Sequence, residues 1–214
     1  MPARESEAII LRTYPFQEAD LIVSFFTRDQ GKLRGVAKRA RRPKNSFGSG
    51  LERLSRVTMF YSQRETRELV NLDSCELIRS QFRLQSDYAT GIVLDYLAEV
   101  SEQLLPPAEA NERHFRLLLA MLEHLREAPE QRLWTVVAYF SLWAVRLAGF
   151  LPELRVSSES RAIAEEMLQT PISQLTERRW TRETAADLRR ILIRDMENQL
   201  ERRFLTVPLL ESLH

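Results

Sequence analysis

The hydrophobic pattern changes near residue 80, and this change constrains the fold more than any other feature of the sequence. Before it, short runs rich in β-branched and aromatic residues alternate with turn residues such as Gly48-Ser49-Gly50. The runs predict strands over residues 7–13, 19–27, 31–39, 51–61 and 68–78. Five strands in about 80 residues favour a small closed or nearly closed barrel.

After residue 80 the apolar residues follow a helical spacing. We expect Ser86 to cap a helix that ends near 105, Asn111 to cap a second, and Gly149 to end a third that begins at Pro129. A polar loop at 155–160, short helices at 160–168 and 171–176 and a long helix at 182–203 complete the prediction. The chain is therefore predicted to be α+β, with a barrel domain at 1–80 and an all-α domain at 81–214.

Composition excludes several classes of protein. The chain has 214 residues and one cysteine, so an internal disulfide framework or a cysteine-rich metal site is not expected. No run approaches the roughly 18 uncharged apolar residues of a membrane span, and the first residues lack the apolar stretch of a signal peptide. These features predict a cytoplasmic protein that does not contact membranes.

The charge is distributed unevenly along the chain. The formal net charge is only +1, but residues 28–56 hold ten basic and two acidic side chains, a local net charge of +8. All three lysines of the chain fall in this window. Because binding to a polyanion depends on charge gathered on one surface, the window is the candidate nucleic-acid site.

In the predicted strand at 31–39, three basic side chains fall on one face. Side chains alternate across a strand, so Lys32, Arg34 and Lys38 are predicted to share the outer face of the barrel, about 6–7 Å apart. The following loop at 40–50 adds three cations and one aromatic ring, and its glycines suggest a mobile arm that closes over a bound strand. The loop residues in question are Arg41, Arg42, Lys44 and Phe47.

Sequence-independent binding of a single strand needs aromatic faces as well as cations. Phe47 is the best candidate for base stacking, because it lies in a Gly/Ser loop with little hydrophobic company. Tyr14, Phe16 and Tyr61 are further candidates behind it, but for these three we favour a place in the core. The alternative interpretation is that the cations form an ordinary solvated surface.

Catalytic motifs are missing from the sequence. There is no phosphate-binding glycine loop and no nucleophile elbow, and the histidines are too scattered for a metal site or a catalytic triad. These histidines are His114, His124 and His214. Cys75 is interpreted as a small buried apolar group. We therefore expect a protein that is not an enzyme and holds no metal or cofactor.

The segment at 15–44, PFQEADLIVSFFTRDQGKLRGVAKRARRPK, followed by FGSGLE at 47–52, resembles the N-terminal signature of the bacterial RecO family of recombination mediators. Weaker similarities are LAGFLPEL at 147–154 and ERRFLTVPLL at 201–210. The resemblance implies an OB-fold barrel followed by a helical domain. The cations that match the family's basic strand and loop are Lys32, Arg34, Lys38, Arg39, Arg41, Arg42 and Lys44.

The resemblance also implies a function and partners. RecO-like proteins bind single- and double-stranded DNA, anneal complementary strands, engage the C-terminal tail of single-strand-binding protein, and work with RecR to help load RecA. They act in recombinational repair in the cytoplasm, at the nucleoid. From the residues alone, two alternatives remain: an OB-fold protein that binds RNA, and a helical adaptor whose barrel is structural.

Two features of the helical half bear on the resemblance. Many relatives carry a four-cysteine zinc motif where this chain has Arg155-Val-Ser-Ser-Glu-Ser, so we expect no zinc here. The tail of single-strand-binding protein is acidic and ends in an apolar residue, which calls for an apolar pocket rimmed by arginines. Arg126, Arg132 and Arg146 lie on apolar helices and are candidates for that rim, although ordinary exposure is the simpler interpretation for each.

Overall fold

In the computed structural model, which describes residues 3–63 and 68–213, the N-terminal part is a closed five-stranded barrel. The strands are β1 (Ala3–Phe16), β2 (Asp20–Thr27), β3 (Gly31–Ala37), β4 (Arg56–Ser62) and β5 (Val70–Arg79). They are ordered β1-β2-β3-β5-β4 around the barrel, and β4 returns to β1. The β3–β5 pair is parallel and the other pairs are antiparallel. The predicted fold class, an OB-type barrel followed by helices, is confirmed.

The barrel core follows from the alternation of side chains along each strand. Val23 and Phe25 of β2 point inward with Leu33 and Ala37 of β3, and all four side chains are buried. Gly35 lies between the last two, and a Cβ there would come within 2.7 Å of the Leu72 side chain. The small residue at this position therefore lets β3 and β5 approach each other.

The turn between β2 and β3 shows why the chain needs glycine at residue 31. Gly31 adopts φ +76°, and the Thr27 hydroxyl both donates to its carbonyl and accepts from the Gln30 amide. A Cβ at Gly31 would lie 2.1 Å from the Glu109 carbonyl oxygen. The turn thus seats a later segment of the chain against the barrel.

The structure divides into two compact units. The first contains the chain up to Arg83 together with Leu105–Phe115, and the second contains Leu84–Leu104 and the chain from Arg116 onward. The sequence pattern assigned everything after residue 80 to the helical half, whereas Leu105–Phe115 belongs with the barrel. The Ala108 amide donates to the Lys32 carbonyl over 2.9 Å, which ties this segment to β3.

The helical part matches the predicted order of helices, with differences at their ends. The helices are α1 (Phe82–Gln85), α2 (Tyr88–Leu104), α3 (Glu112–Glu127), α4 (Pro129–Leu147), α5 (Ser158–Gln169), α6 (Ala186–Gln199) and α7 (Val207–Ser212), with a 3₁₀ turn at Ile172–Gln174. The short helices α1 and α7 were not predicted, and α6 is shorter than the predicted 182–203. Helices of four to six residues show too little periodicity to be recognised in a sequence.

Capping residues explain several of these boundaries. Asp87, not Ser86, caps α2, because its carboxylate accepts from the Thr90 amide over 2.7 Å. Asn111 caps α3 as predicted, with its side-chain oxygen accepting from the His114 amide. Ser157 caps α5, so this helix begins inside the predicted loop at 155–160.

The helical unit is held by polar contacts as well as by apolar packing. The hydroxyl groups of Tyr96 and Ser141 are 2.7 Å apart in the core between α2 and α4. Glu99 of α2 accepts from the amides of Leu205 and Thr206, which fixes the segment that leads into α7. In the described ranges, no helix is long and apolar enough to cross a membrane.

Candidate nucleic-acid interface

The outer face of β3 carries two cations, Lys32 and Arg34, followed by Val36, as the alternation in the sequence predicted. Arg34 is exposed and Lys32 is half-buried, while Leu33 and Ala37 point into the barrel. Lys38 follows the last residue of β3 and is exposed. Alternation therefore separates the charged side chains from the core without any special packing.

The connection from β3 to β4 is tied to the barrel at its basic end. The Arg39 amide donates to the Asp20 carboxylate over 2.8 Å. The Arg41 amide donates to the Ala19 carbonyl, and its guanidinium donates to the Glu18 carbonyl. The sequence suggested a mobile arm, whereas in the structure these bonds hold the start of the connection against the barrel. The side chains of Arg39, Arg41, Arg42 and Lys44 remain exposed.

Phe47 is not available for base stacking, so its assignment to the site is wrong. The ring is 3% exposed and packs in the barrel core. Asn45 explains the inward direction, since its side-chain oxygen accepts from the amides of Phe47 and Gly48 and turns the chain there. The Cys75 thiol donates to the Phe47 carbonyl over 3.4 Å. Composition identified a loop but gave no sign that its aromatic residue completes the core.

Two aromatic residues assigned to the core lie on the outer face instead. Tyr14 and Phe16 of β1 are half-buried, whereas Tyr61 is fully buried as predicted. An irregularity between Ile10 and Arg12 shifts the register of β1 against β2. Beyond it, every second residue of β1 points outward, beginning with exposed Arg12. The alternation of Arg12 with the two rings was the sequence signal for this arrangement.

The register of the three strands places these residues in rows. Arg12 pairs with Ser24, and Ser24 pairs with Arg34, so two arginines flank a small buried residue. In the next row, the partners across the sheet are Tyr14, Ile22 and Val36. The Arg12 guanidinium lies 5.1 Å from the centroid of the Tyr14 ring.

We call this surface the β1–β3 outer face. It comprises Arg12, Tyr14, Phe16, Ile22, Arg34 and Val36, and all six side chains are exposed or half-buried. Phe16 pairs with Asp20, whose carboxylate already accepts from the Arg39 amide. The face therefore combines cations with aromatic and aliphatic groups, which is the composition that single-strand binding requires.

Not every cation of the basic window contributes to this surface. Glu7 accepts from both Arg28 and Arg56, at 2.9 and 2.6 Å. Burial lowers the pKa of Arg53. Within residues 3–63 and 68–213, by contrast, no carboxylate forms an ion pair with Lys38 or Lys44.

The three arginines proposed for a peptide pocket have different surroundings. Arg126 pairs with Glu123, and Arg132 pairs with Glu127. Arg146 lies 5.0 Å from the ring centroid of Trp143. A cleft of about 570 Å³ beside Arg132 is lined by neither Arg126 nor Arg146.

The remaining titratable candidates are packing residues. Burial raises the pKa of half-buried Cys75 to about 11, so its thiol stays protonated. His114 is buried against Phe26, with ring centroids 5.8 Å apart. His214 lies outside the described residues. The part of the chain that the structure describes has no group of three or more His, Cys, Asp or Glu residues able to hold a metal ion.

Comparison with known proteins agrees with this architecture. The family model described as "Recombination protein O N terminal" matches residues 1–81, and the model described as "Recombination protein O C terminal" matches residues 85–166. The first match covers the whole barrel, and the second covers helices α2 to α4 and most of α5.

Individual relatives carry the same name. The "DNA repair protein RecO" of Koribacter versatilis is 40% identical over 98% of this chain and 99% of its own length. The proteins of that name in Symbiobacterium thermophilum and Geobacter sulfurreducens are 33% and 36% identical, over 69% and 56% of this chain. The matched parts are 57% and 48% of those two proteins. With both family models matched and one relative aligned almost end to end, the chain belongs to the RecO family of DNA repair proteins.

Proposed function

We propose that this chain binds single- and double-stranded DNA through the β1–β3 outer face and the basic loop at 38–44, and that it anneals complementary strands. The observation that carries the proposal is the grouping of exposed cations at Arg34 of β3 and on the loop that follows this strand. The bonds from Arg39 to Asp20 at the start of β2, and from Arg41 to Glu18 in the β1–β2 turn, hold that loop beside the β1–β3 outer face.

The chemistry of these side chains favours binding without sequence preference. Guanidinium and ammonium groups bind phosphate oxygens, and the affinity arises largely from released counterions. Phosphate contacts position a nucleic acid without reading its bases. A mediator that works on any damaged stretch of DNA needs this kind of binding, and it needs no catalytic groups.

Membership of the family supports further proposals about partners. We place this chain in recombinational repair at the nucleoid, as a non-enzymatic mediator that works with RecR. In this role it engages the C-terminal tail of single-strand-binding protein and helps load RecA onto DNA coated by that protein. No zinc or other cofactor takes part in the proposed activity.

Salt dependence tests the DNA site directly. For Z phosphates contacted on a single strand, log affinity falls with log salt at a slope of about −0.7Z. Reversing the charge of Arg34, Lys38 and Arg41 together should flatten the slope and weaken binding to all sequences alike. An unchanged slope removes these residues from the site.

A matched control comes from the helical unit. Arg116, Arg190 and Arg194 are also exposed. Because this set also holds three basic residues, reversing their charges changes the net charge by the same amount. This control should leave the slope and the affinity nearly unchanged, since the three residues lie outside the basic window. Equal losses in the two triple variants would show that only net charge matters and would contradict a localised site.

An annealing assay tests the mediator activity. Complementary strands coated with single-strand-binding protein should anneal faster when this chain is added, and EDTA should not change the rate. Failure to anneal contradicts the mediator role, and loss of activity in EDTA contradicts independence from metal. Competition between single-stranded DNA and RNA of equal sequence then separates this proposal from an RNA-binding barrel.

A further inference from the structure

We infer that Tyr14 and Phe16 of β1 form a base-stacking platform that makes the β1–β3 outer face selective for single-stranded over double-stranded DNA. The inference rests on the proposed DNA binding and specifies how the same surface distinguishes the two forms of its ligand. It assigns a binding role to residues outside the basic window.

The geometry of the platform follows from the strand register. Tyr14, Ile22 and Val36 lie side by side on adjacent strands, which places the outer two about 10 Å apart. Phe16 is two residues beyond Tyr14 on the same face of β1. The result is an apolar row that crosses three strands and is wide enough for more than one base.

Cations lie on both sides of this row. On one side are Arg12 and Arg34, one row away across the sheet. On the other side is exposed Lys38, two residues beyond Val36. Each cation is about 6–7 Å from the row along its strand, so a chain whose bases contact the row can place phosphates beside them.

Only an unpaired strand can use this arrangement. Base-aromatic stacking strengthens binding and tolerates any sequence, because every base has a π face. In a duplex the faces of the bases are covered by their neighbours in the stack. A duplex therefore meets the cations of this surface but not its rings, and it gains only the electrostatic part of the binding.

Both rings lie outside the barrel core. Both rings stay half-buried at the end of β1, next to the turn that leads into β2, while Phe25 and Tyr61 fill the barrel core 5.9 Å apart. The Arg12 guanidinium lies over the Tyr14 ring, 5.1 Å from its centroid, so a base that stacks on that side of the ring displaces it.

Replacing both rings by leucine tests the inference. Tyr14→Leu with Phe16→Leu removes the π faces but keeps the row apolar. We expect affinity for a single-stranded 20-mer to fall about 10- to 100-fold and affinity for the duplex of the same sequence to change less than about twofold. The slope of affinity against salt should stay the same, because no phosphate contact is lost.

Two further variants make the result specific. Phe60→Leu removes a half-buried ring from β4, opposite Glu5, and should change neither affinity. Tyr14→Trp preserves a stacking surface and should keep the preference for single strands. Thermal unfolding of each variant confirms that the barrel remains folded.

The outcomes distinguish this inference from the proposed function. If the wild-type chain binds neither form of DNA, the proposed function is wrong and the platform is wrong with it. If DNA binding persists but the double leucine variant loses nothing, or loses both forms equally, the platform alone is overturned. A selective loss of single-strand affinity, with the Trp variant unaffected, establishes it.

Discussion

The barrel unit and the helical unit both carry many arginines, but they arrange them differently. In the barrel unit, strand alternation and the loop after β3 leave the side chains of Arg41, Arg42 and Lys44 exposed. In the helical unit, guanidinium groups commonly meet carboxylates. These pairs include Arg126–Glu123, Arg132–Glu127, Arg178–Glu166 and Arg203–Glu197.

Arg189 of the helical unit is buried and contacts a ring and backbone carbonyls. It is 6% exposed, its guanidinium lies 4.6 Å from the Trp134 ring centroid, and it donates to the carbonyls of Arg182 and Thr184. Such an arginine contributes to folding, and its burial keeps it off the surface that a polyanion would contact. Basic residues thus mark a binding surface only where the fold leaves them gathered and solvent-facing.

We expect the largest effect from Phe47, the residue that the sequence assigned to the site and whose side chain is buried in the barrel core. Phe47→Ala removes a large side chain from the core and should lower the free energy of unfolding by about 3–5 kcal/mol, measured by urea denaturation. Phe47→Leu should cost less, because it keeps most of the volume. A stable Phe47→Ala protein that has lost DNA affinity would reverse the assignment and return Phe47 to the interface.

Arg189→Leu provides the corresponding test in the helical unit. It removes the stacking on Trp134 and leaves two carbonyls without their donor, so we expect a loss of about 3 kcal/mol. Affinity for DNA should not change at temperatures where the variant is folded. If DNA binding falls without loss of stability, the division between structural and binding arginines is wrong.

His114 and His124 allow the pH dependence of stability to be compared between the two units. Burial lowers the pKa of His114 from 6.5 to about 4, so between these values the unfolded chain binds a proton that the folded chain does not. The contribution of neutral His114 to the free energy of unfolding is fully present above about pH 6.5. It is lost, by up to about 3 kcal/mol, as the pH drops toward 4. His114→Gln should remove this part of the acid sensitivity.

His124 of the helical unit is the comparison for that experiment. Its pKa is also lowered to about 4, first by burial and then by Arg132, but the ring is only half-buried. Solvent screening reduces its effect, so His124→Gln should flatten the pH dependence of stability less than His114→Gln does. An equal or larger change would contradict the difference in burial.

The smallest effect is expected where a charged pair is fully open to solvent. Arg155 and Glu153 are 3.1 Å apart, with side chains 83% and 76% exposed. Arg155→Ala should change the free energy of unfolding by less than about 0.5 kcal/mol and leave DNA affinity unchanged. A larger loss in thermal denaturation would show that this segment, which resembles the zinc module of relatives only in position, is held by its charges.

Local patterns in the sequence were enough to predict the order of strands and helices and the outward direction of Arg34. Alternation and helical spacing express burial on one side of each element, and both repeat over enough residues to be read directly. The cap at Asn111 was also predictable, because a cap depends only on its own first turn. Boundaries inside polar segments, such as the start of α5, were not.

The tertiary structure decided which side chains share a surface. Phe47 joins the core because Asn45 turns the loop inward, and Tyr14 leaves it because β1 shifts its register against β2. Both results depend on partners far away in the chain, which a local pattern does not contain. The sequence determined that cations would lie along one strand, whereas the pairing of β1 with β2, and the register shift within it, decided that two rings from β1 lie on the same face.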